Sequence, residues 1–205
     1  MNKPKEIRVI DKKCEAELKE KNSRFIGFAF PIENEKEVQF YLKDLKKKYY
    51  DATHHCYAYK TLTSEKYSDA GEPSGTAGVR IYNAIEHFNL TNTLVVIVRY
   101  FGGTKLGVGG LGKAYYEIAF KVLEKVEKVN KNLYQKVLIK TDFEMANKVF
   151  QIFNESGNKI LNINYTDKVE FECLIISANI QQIISQLKDA TNGDITINSA
   201  EMIYY

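Results

Sequence analysis

Apolar and polar residues along the first third of the chain follow two different periods. Over residues 14–20 apolar and charged residues alternate, which is typical of a half-buried strand. Residues 24–32 predict its hairpin partner, with a turn at Asn22-Ser23. After Asn34, apolar residues recur at helical spacing. The Asn34 side chain can accept hydrogen bonds from the free N–H groups of a first helical turn. This part is therefore predicted to be a hairpin followed by an amphipathic helix.

The middle of the chain predicts two more segments in which a strand is followed by a loop and a helix. A strand over 53–60 leads into a polar loop over 62–75 and then a helix over 76–88. A run rich in β-branched residues over 94–98 predicts a further strand. It leads into a segment with six glycines and a helix over 110–126.

The last third of the chain has a regular order of elements and predicts a second domain. Residues 126–133 are polar and charged, which favours a joint between a first domain over 1–130 and a second over 134–205. The second domain reads β-α-β-β-α-β, with strands over 134–141, 159–165, 168–177 and 195–204, helices over 143–156 and 180–191, and a hairpin turn at Thr166-Asp167. This order predicts a ferredoxin-like split βαβ fold and an α+β protein.

Charge is unevenly distributed between the two predicted domains. Residues 134–205 hold 6 Lys and 9 Asp/Glu, a net charge of −3, whereas residues 1–133 carry +6. The first domain therefore favours a polyanionic partner and the second repels one. Three cysteines far apart, no apolar leader and no long apolar run predict a cytoplasmic protein without a membrane partner.

The segment over 94–115 carries the strongest functional signal, because a strand, a glycine loop and the start of a helix follow one another. This arrangement points backbone N–H groups at an anion. Residues 107–112 also fit G-x-G-x-x-G, although no acidic residue ends a strand about 20 positions later. With Lys113 they fit a P-loop in which Ala114 replaces the magnesium-binding hydroxyl. Glycines placed only for left-handed backbone and close packing are the structural alternative.

Two other clusters have both a structural and a functional interpretation. On a strand, His54 and Cys56 share one face and His55 points to the other, too few ligands for zinc. The loop over 69–76 holds acidic residues and hydroxyls beside a helix start, where Ser74 or Thr76 is a candidate cap. The functional hypothesis joins this loop with Arg99 and the glycine loop in one cleft.

Several separate blocks of the sequence, spread over roughly residues 15–125, resemble the YigZ/Impact family. They are Arg24-Phe25-Ile26, Asp51-Ala-Thr-His54-His55-Cys56-Tyr57-Ala58-Tyr59, Asp69-x-Gly71-Glu72-Pro73-Ser74-Gly75-Thr76-Ala77-Gly78, Leu90-Thr91-Asn92 and Val98-Arg99-Tyr100-Phe101-Gly102-Gly103-x-x-Leu106-Gly107-x-Gly109-Gly110-Leu111. The chain departs from the family pattern at Ala70, where Asp is usual, and at Gly112, where a bulkier apolar residue is frequent.

The resemblance implies a ribosomal-protein-like left-handed β-α-β fold for the first domain. That fold is shared with domain IV of elongation factor G and with the GHMP small-molecule kinases. The second domain resembles the small ferredoxin-like domain of the bacterial members. Impact relatives are translational regulators that act by protein binding and use an additional N-terminal domain, for which this chain has no room.

These observations predict a non-enzymatic protein that binds RNA, the ribosome or a translation-associated protein, with phosphate or a nucleotide as a further ligand. The alternatives are an enzyme using the same cleft and an adaptor that binds only proteins. No cofactor, metal ligand or catalytic residue is expected. The candidate binding residues are Arg24, His54, His55, Asp69, Glu72, Ser74, Thr76, Arg99, Tyr100, Gly102, Gly103, Lys105, Gly107, Gly109 and Gly110.

Overall fold

The protein is described by a computed structural model over residues 3–155 and 157–205. It is an α+β protein whose paired strands form two antiparallel sheets. The chain divides into two compact units, one formed by Arg8–Asn130 and the other by the residues up to Ile7 together with Lys131–Tyr205. No helix in the described ranges combines the length and apolar content needed to cross a membrane.

The unit Arg8–Asn130 is built on a sheet with the strand order β2-β3-β6-β4-β5. Its elements follow β1 (Glu6–Ile10) and are β2 (Cys14–Glu20), β3 (Ser23–Pro31), α1 (Glu35–Lys48), β4 (His54–Lys60), β5 (Glu65–Ser68), α2 (Gly78–His87), β6 (Thr93–Tyr100) and α3 (Gly107–Lys125). Asn34 caps α1 by accepting from the N–H groups of Lys36 and Glu37, as predicted.

Both faces of the central strand β6 are covered by helices, which explains its uninterrupted apolar run. Val95 and Ile97 belong to the core that includes α2 and α3. Val96 and Val98 belong to the core that includes α1. Because side chains alternate along a strand, Arg99 continues the row of Val95 and Ile97 and lies on the α2/α3 face. This alternation decides on which side of the sheet each candidate residue lies.

The second unit has the predicted β-α-β-β-α-β order. Its elements are β7 (Lys128–Thr141), α4 (Ala146–Glu155), β8 (Lys159–Tyr165), β9 (Val169–Ile176), α5 (Ile180–Ala190) and β10 (Ile195–Tyr204). The sheet order is β1-β7-β9-β8, with β10 also paired to β7. Apolar residues of α4 and α5 pack with the sheet in one core. Short 3-10 turns precede both helices.

Most predicted elements are confirmed, and the differences are shifted element ends and two strands, β1 and β5, that the sequence does not predict. The predicted loop over 62–75 contains β5, which hydrogen-bonds to β4 although its sequence is polar. The predicted joint over 126–133 is largely the first part of β7. The helix predicted from residue 110 begins at Gly107, and the one predicted from residue 76 begins at Gly78. The helix predicted over 143–156 begins with a 3-10 turn, and its last residue, Ser156, lies outside the described residues.

Candidate functional site

A buried ion pair between Arg99 and Glu72 lies at the end of β6. Arg99 is 5% exposed and Glu72 is 8% exposed. The Arg99 Nη1 donates to Glu72 Oε1 at 2.6 Å, and the Tyr115 hydroxyl donates to the same oxygen at 2.8 Å. The Arg99 Nη2 donates to Ser23 Oγ at 3.3 Å. Arg99 therefore joins the loop after β5 to the start of β3, and its charge is compensated inside the protein.

His54 lies directly opposite Arg99 in the sheet, because the two residues are paired in the β4–β6 register. Its Nδ1 is 2.9 Å from the Ala70 carbonyl oxygen. A carbonyl oxygen only accepts, so Nδ1 carries the hydrogen and donates it. The Nε2 atom is 3.7 Å from Glu72 Oε2, and 18% of the His54 side chain is exposed. His54 thus fixes the loop backbone while its second nitrogen stays at the edge of the buried pair.

Asp69 organises the loop that carries Glu72. Its Oδ2 accepts from the Gly75 N–H at 2.9 Å, and its Oδ1 accepts from the N–H groups of Ala77 and Gly78 at 2.9 and 2.8 Å. Burial alone would raise the pKa of this carboxyl, but the three donors outweigh it and hold the pKa below its ordinary value. At Gly78 an added Cβ would come within 2.7 Å of the Ser68 backbone nitrogen. The loop therefore folds tightly onto the end of β5.

The hydroxyls of this loop do not cap α2. The residue at the N-cap is Ala77, and no side chain bonds to the first turn from that position. Thr76 is buried and donates to the Pro73 carbonyl oxygen at 2.6 Å, while Ser74 is exposed. The prediction that Ser74 or Thr76 caps α2 is therefore wrong. The carboxylate of Asp69, farther away in the sequence, accepts the hydrogen bonds from the N–H groups at the start of this helix instead.

Asp69→Asn is expected to lower the free energy of unfolding by about 1 kcal/mol at pH 7, because the amide keeps only one of the two oxygens that accept from the loop N–H groups. Because the folded pKa of Asp69 is depressed, its contribution is complete above the ordinary value of 3.8 and is lost as pH falls through the folded pKa. Urea unfolding between pH 7 and pH 2 should therefore show a smaller acid-dependent loss in this variant than in the wild type. Asp44→Asn, at an exposed position of α1, is the control, and equal acid dependence in both variants would contradict this role.

Cys56 and His55 lie on opposite faces of the sheet, as the alternation predicts. Cys56 Sγ lies 2.9 Å from the Asp69 carbonyl oxygen and 3.2 Å from the Tyr115 hydroxyl. Burial raises the pKa of the Cys56 thiol to about 12, so it is not a thiolate nucleophile at neutral pH. Burial, followed by the nearby Lys46 charge, lowers the pKa of His55. Among the described residues no group of three or more His, Cys, Asp or Glu is placed to hold a metal ion.

The first part of the glycine loop is fixed by hydrogen bonds to neighbouring segments. The Phe101 N–H donates to Thr53 Oγ1 at 3.1 Å, and the Gly102 N–H donates to Ser23 Oγ at 3.3 Å. A Cβ at Gly102 would lie 2.0 Å from the Asn22 carbonyl carbon. Gly102 is therefore required by the close approach of two backbone segments.

The remaining glycines of the loop differ in what the fold requires of them. Gly103 and Gly107 have positive φ angles of +83° and +74°, so left-handed backbone accounts for both. Among the described residues, no atom lies within 4 Å of a Cβ added at Gly109, and a Cβ added at Gly110 has only an ordinary contact with Leu106. Both lie in the exposed first turn of α3, whose N-cap residue, Leu106, makes no side-chain capping hydrogen bond to the described residues. Neither packing nor positive φ requires glycine at these two positions.

A groove with a volume of about 450 Å³ lies beside this first turn, between α2 and α3. It is lined by Arg80, Asn83, Val108, Gly109, Gly112, Lys113 and Tyr116. Within the part of the chain that the structure describes, Arg80, Lys105 and Lys113 form no ion pair. All three are exposed. This surface therefore has free positive charge next to uncapped N–H groups.

Arg24 and Tyr100 are neighbours in the sheet but lie apart from the buried pair. They are paired in the β3–β6 register, one residue along from the pair formed by Phe25 and Arg99, so their side chains point to the α1 face. Arg24 binds Glu17 through two hydrogen bonds of 3.0 and 2.8 Å. The Tyr100 hydroxyl donates to Asp51 at 2.8 Å. The sheet thus divides the candidate residues between its two faces.

Two residues of the buried network, Ser23 and Tyr115, are not predicted as site residues by the sequence. The sequence indicates only a turn at Ser23. Tyr115 lies at apolar helical spacing in the sequence, and its hydroxyl is a usable signal, because a buried tyrosine needs a hydrogen-bond partner. Arg80 enters the groove only because α2 packs beside α3, and the sequence gives no indication of that pairing.

Two family models match the chain, one in each part. The model described as "Impact N-terminal domain" matches residues 21–123. The model described as "Domain of unknown function (DUF1949)" matches residues 139–194. The first match contains the ion pair, the Asp69 loop and the glycine loop.

Similar curated proteins carry names of the same family. IMPACT family member YvyE of Bacillus subtilis is 33% identical over 193 residues, 93% of this chain and 89% of that protein. IMPACT family member YigZ of Escherichia coli is 25% identical and covers 88% of this chain and 91% of its own length. Human Protein IMPACT is 33% identical over 98 residues, 44% of this chain and 30% of the human protein. A crystal structure described only as that of "an hypothetical protein" superposes with a TM-score of 0.67 at 22% identity, covering 97% of this chain and 98% of that one.

Proposed function

Because the chain belongs to the IMPACT family and has the two-part arrangement of its bacterial members, we propose that it is a non-enzymatic, cytoplasmic RNA-binding protein that acts in the regulation of translation. The RNA phosphate backbone binds at the first turn of α3 and the adjoining groove. The proposal includes kinship of the first unit with domain IV of elongation factor G and of the second with ferredoxin-like domains.

The observation that carries this proposal is the presence of glycine at positions 109 and 110. Glycine inside a helix costs about 1 kcal/mol relative to alanine. Packing and backbone conformation require no glycine at either position, so the fold by itself gains nothing from them. Close approach of a ligand to the backbone is a separate reason for glycine, and it applies to N–H groups that face solvent.

The charges around this turn support a phosphate as the ligand. Residues 99–116 contain three cationic residues and no acidic residue. Arg99 is the buried one, and its guanidinium is already bound to Glu72. Phosphate contacts therefore come from the backbone N–H groups together with Lys105, Lys113 and Arg80. In this arrangement Arg99 does not bind the phosphate and instead stabilises the site through its hydrogen bonds to Glu72 and Ser23.

Lys113→Gln is expected to weaken RNA binding and to reduce its dependence on salt. Each phosphate contact that is lost reduces the slope of log K against log salt by about 0.7 for a single strand. Fluorescence anisotropy with a labelled single-stranded RNA 12-mer, titrated between 50 and 200 mM salt, measures both quantities. Lys188→Gln removes another exposed lysine, from α5, and should change neither.

Gly109→Ala separates the functional role of the glycine from a structural one. The variant is expected to be more stable than the wild type and yet to bind the RNA more weakly, since the new methyl group occupies the first turn. No RNA binding by the wild type at 50 mM salt would overturn the proposed function. Equal RNA affinity of the wild type, Lys113→Gln and Gly109→Ala would remove the first turn of α3 as the binding surface.

A further inference from the structure

Phe101 is an exposed aromatic residue whose backbone is fixed on both sides. The residue is 45% exposed. Its N–H donates to Thr53 Oγ1 at 3.1 Å, and the next residue, Gly102, donates to Ser23 Oγ at 3.3 Å. Gly102 has no space to shift, because even a Cβ there would meet the Asn22 backbone at 2.0 Å. The ring is therefore presented to solvent by an ordered backbone.

The Phe101 ring also has a charged partner behind it. The Arg99 Cζ atom lies 5.5 Å from the centroid of the Phe101 ring and 5.3 Å from that of the buried Phe25 ring. The guanidinium of Arg99 donates a hydrogen bond to Glu72, and the residue Arg99 is 5% exposed. A cation over one face of an aromatic ring is attracted by the electron density of that face. The contact with Arg99 orients the ring, and nearly half of the residue stays open to solvent.

We infer that Phe101 is a stacking platform for a base of single-stranded RNA, an inference that rests on the proposed function. Phe101 precedes the phosphate-binding turn of α3 by only six residues, so ring and turn belong to one surface segment. In a duplex the bases are already stacked on one another, whereas an unpaired base can place its face on an aromatic side chain.

The charge of the same segment selects an RNA strand over an apolar partner. An exposed phenylalanine alone would fit a hydrophobic protein surface as well. Here the ring is followed along the chain by Lys105, Lys113 and the uncapped N–H groups of α3, with no acidic residue over 99–116. A strand that places a base on Phe101 and its phosphates on α3 satisfies both features.

The chain contains no tryptophan, so a single introduced tryptophan reports on its own environment. Phe101→Trp is expected to keep RNA binding and to lose fluorescence on addition of a single-stranded RNA 12-mer, with the midpoint given by anisotropy. Phe40→Trp is the matched control, since Phe40 is 68% exposed on α1, and its fluorescence should not change. Duplex RNA of the same length should leave the fluorescence of Phe101→Trp unchanged.

Phe101→Ala supplies the second measurement. Its affinity for the single-stranded 12-mer should fall about ten-fold or more, as removal of a stacking ring does in other proteins. Its affinity for inorganic polyphosphate, which has charge but no bases, should equal that of the wild type. Phe101→Tyr keeps an aromatic face and should bind RNA like the wild type.

The two proposals fail in different ways. If the wild type does not bind RNA at 50 mM salt, whether or not it binds polyphosphate, the proposed function fails and the stacking role with it. If it binds both, but Phe101→Trp shows no quenching or Phe101→Ala loses affinity for both ligands equally, only the stacking role is overturned.

Discussion

Glu72→Ala is expected to lower the free energy of unfolding by about 3–5 kcal/mol, the usual cost of removing one partner of a buried ion pair. The loss of the attraction between Glu72 and Arg99 contributes less to this cost than the buried polar groups that are left without a partner. The Arg99 guanidinium would stay buried without its carboxylate, and the Tyr115 hydroxyl would lose its acceptor. The loop that carries Glu72 would also lose its attachment to β6.

Urea unfolding of two further variants tests whether burial sets the size of this effect. Glu72→Gln keeps a carbonyl oxygen for Tyr115 and is expected to lose less stability than Glu72→Ala. Glu17→Ala breaks the ion pair of Glu17 with Arg24, in which the side chains are 40% and 50% exposed, and should cost much less stability than Glu72→Ala. A loss for Glu72→Ala no larger than that for Glu17→Ala would show that the buried pair contributes little to stability.

Gly102→Ala is expected to cost about 3 kcal/mol, near the upper end for inserting an atom into a packed site. The added Cβ would lie 2.0 Å from the carbonyl carbon and 2.1 Å from the carbonyl oxygen of Asn22. Both are backbone atoms, so one of the two segments must move. That movement would break the hydrogen bond from Gly102 to Ser23 and displace Phe101.

Gly109→Ala is the matched control, because it adds the same methyl group in the same loop-to-helix segment. No atom of the residues that the structure describes lies within 4 Å of the added Cβ, so the change should raise the free energy of unfolding by about 1 kcal/mol. Thermal or urea unfolding of both variants measures the difference. A stability for Gly102→Ala equal to that of the wild type would mean that the two backbones can separate at little cost.

These effects follow from a division of roles within the family motifs. The residues of the Asp69 loop and the end of β6 mostly bind one another, and this makes the loops rigid. The first turn of α3 and the ring of Phe101 face solvent in the same unit. A rigid layer behind an open surface reduces the entropy lost on binding, so under the proposed function variants such as Glu72→Ala should also weaken RNA binding.

The sequence predicted the elements well where local pattern decides them. The alternation over 14–20, the cap at Asn34 and the β-α-β-β-α-β order needed only short-range periodicity, and each is confirmed. The strand β5 was missed because its stability comes from pairing with β4 rather than from its own residues. The start of β7 was likewise missed because a charged segment becomes a strand when a neighbour supplies its hydrogen bonds.

The sequence alone determined the family, the two-part organisation of the motifs and the glycine-rich turn at the start of α3. Only the tertiary structure decided that Arg99 is bound to Glu72, 27 residues away, and to Ser23, 76 residues away. It also decided that Gly102 is needed for packing while Gly109 is not. The physical reason is that partners so distant along the chain meet through sheet register and helix packing. Short-range periodicity does not encode such contacts.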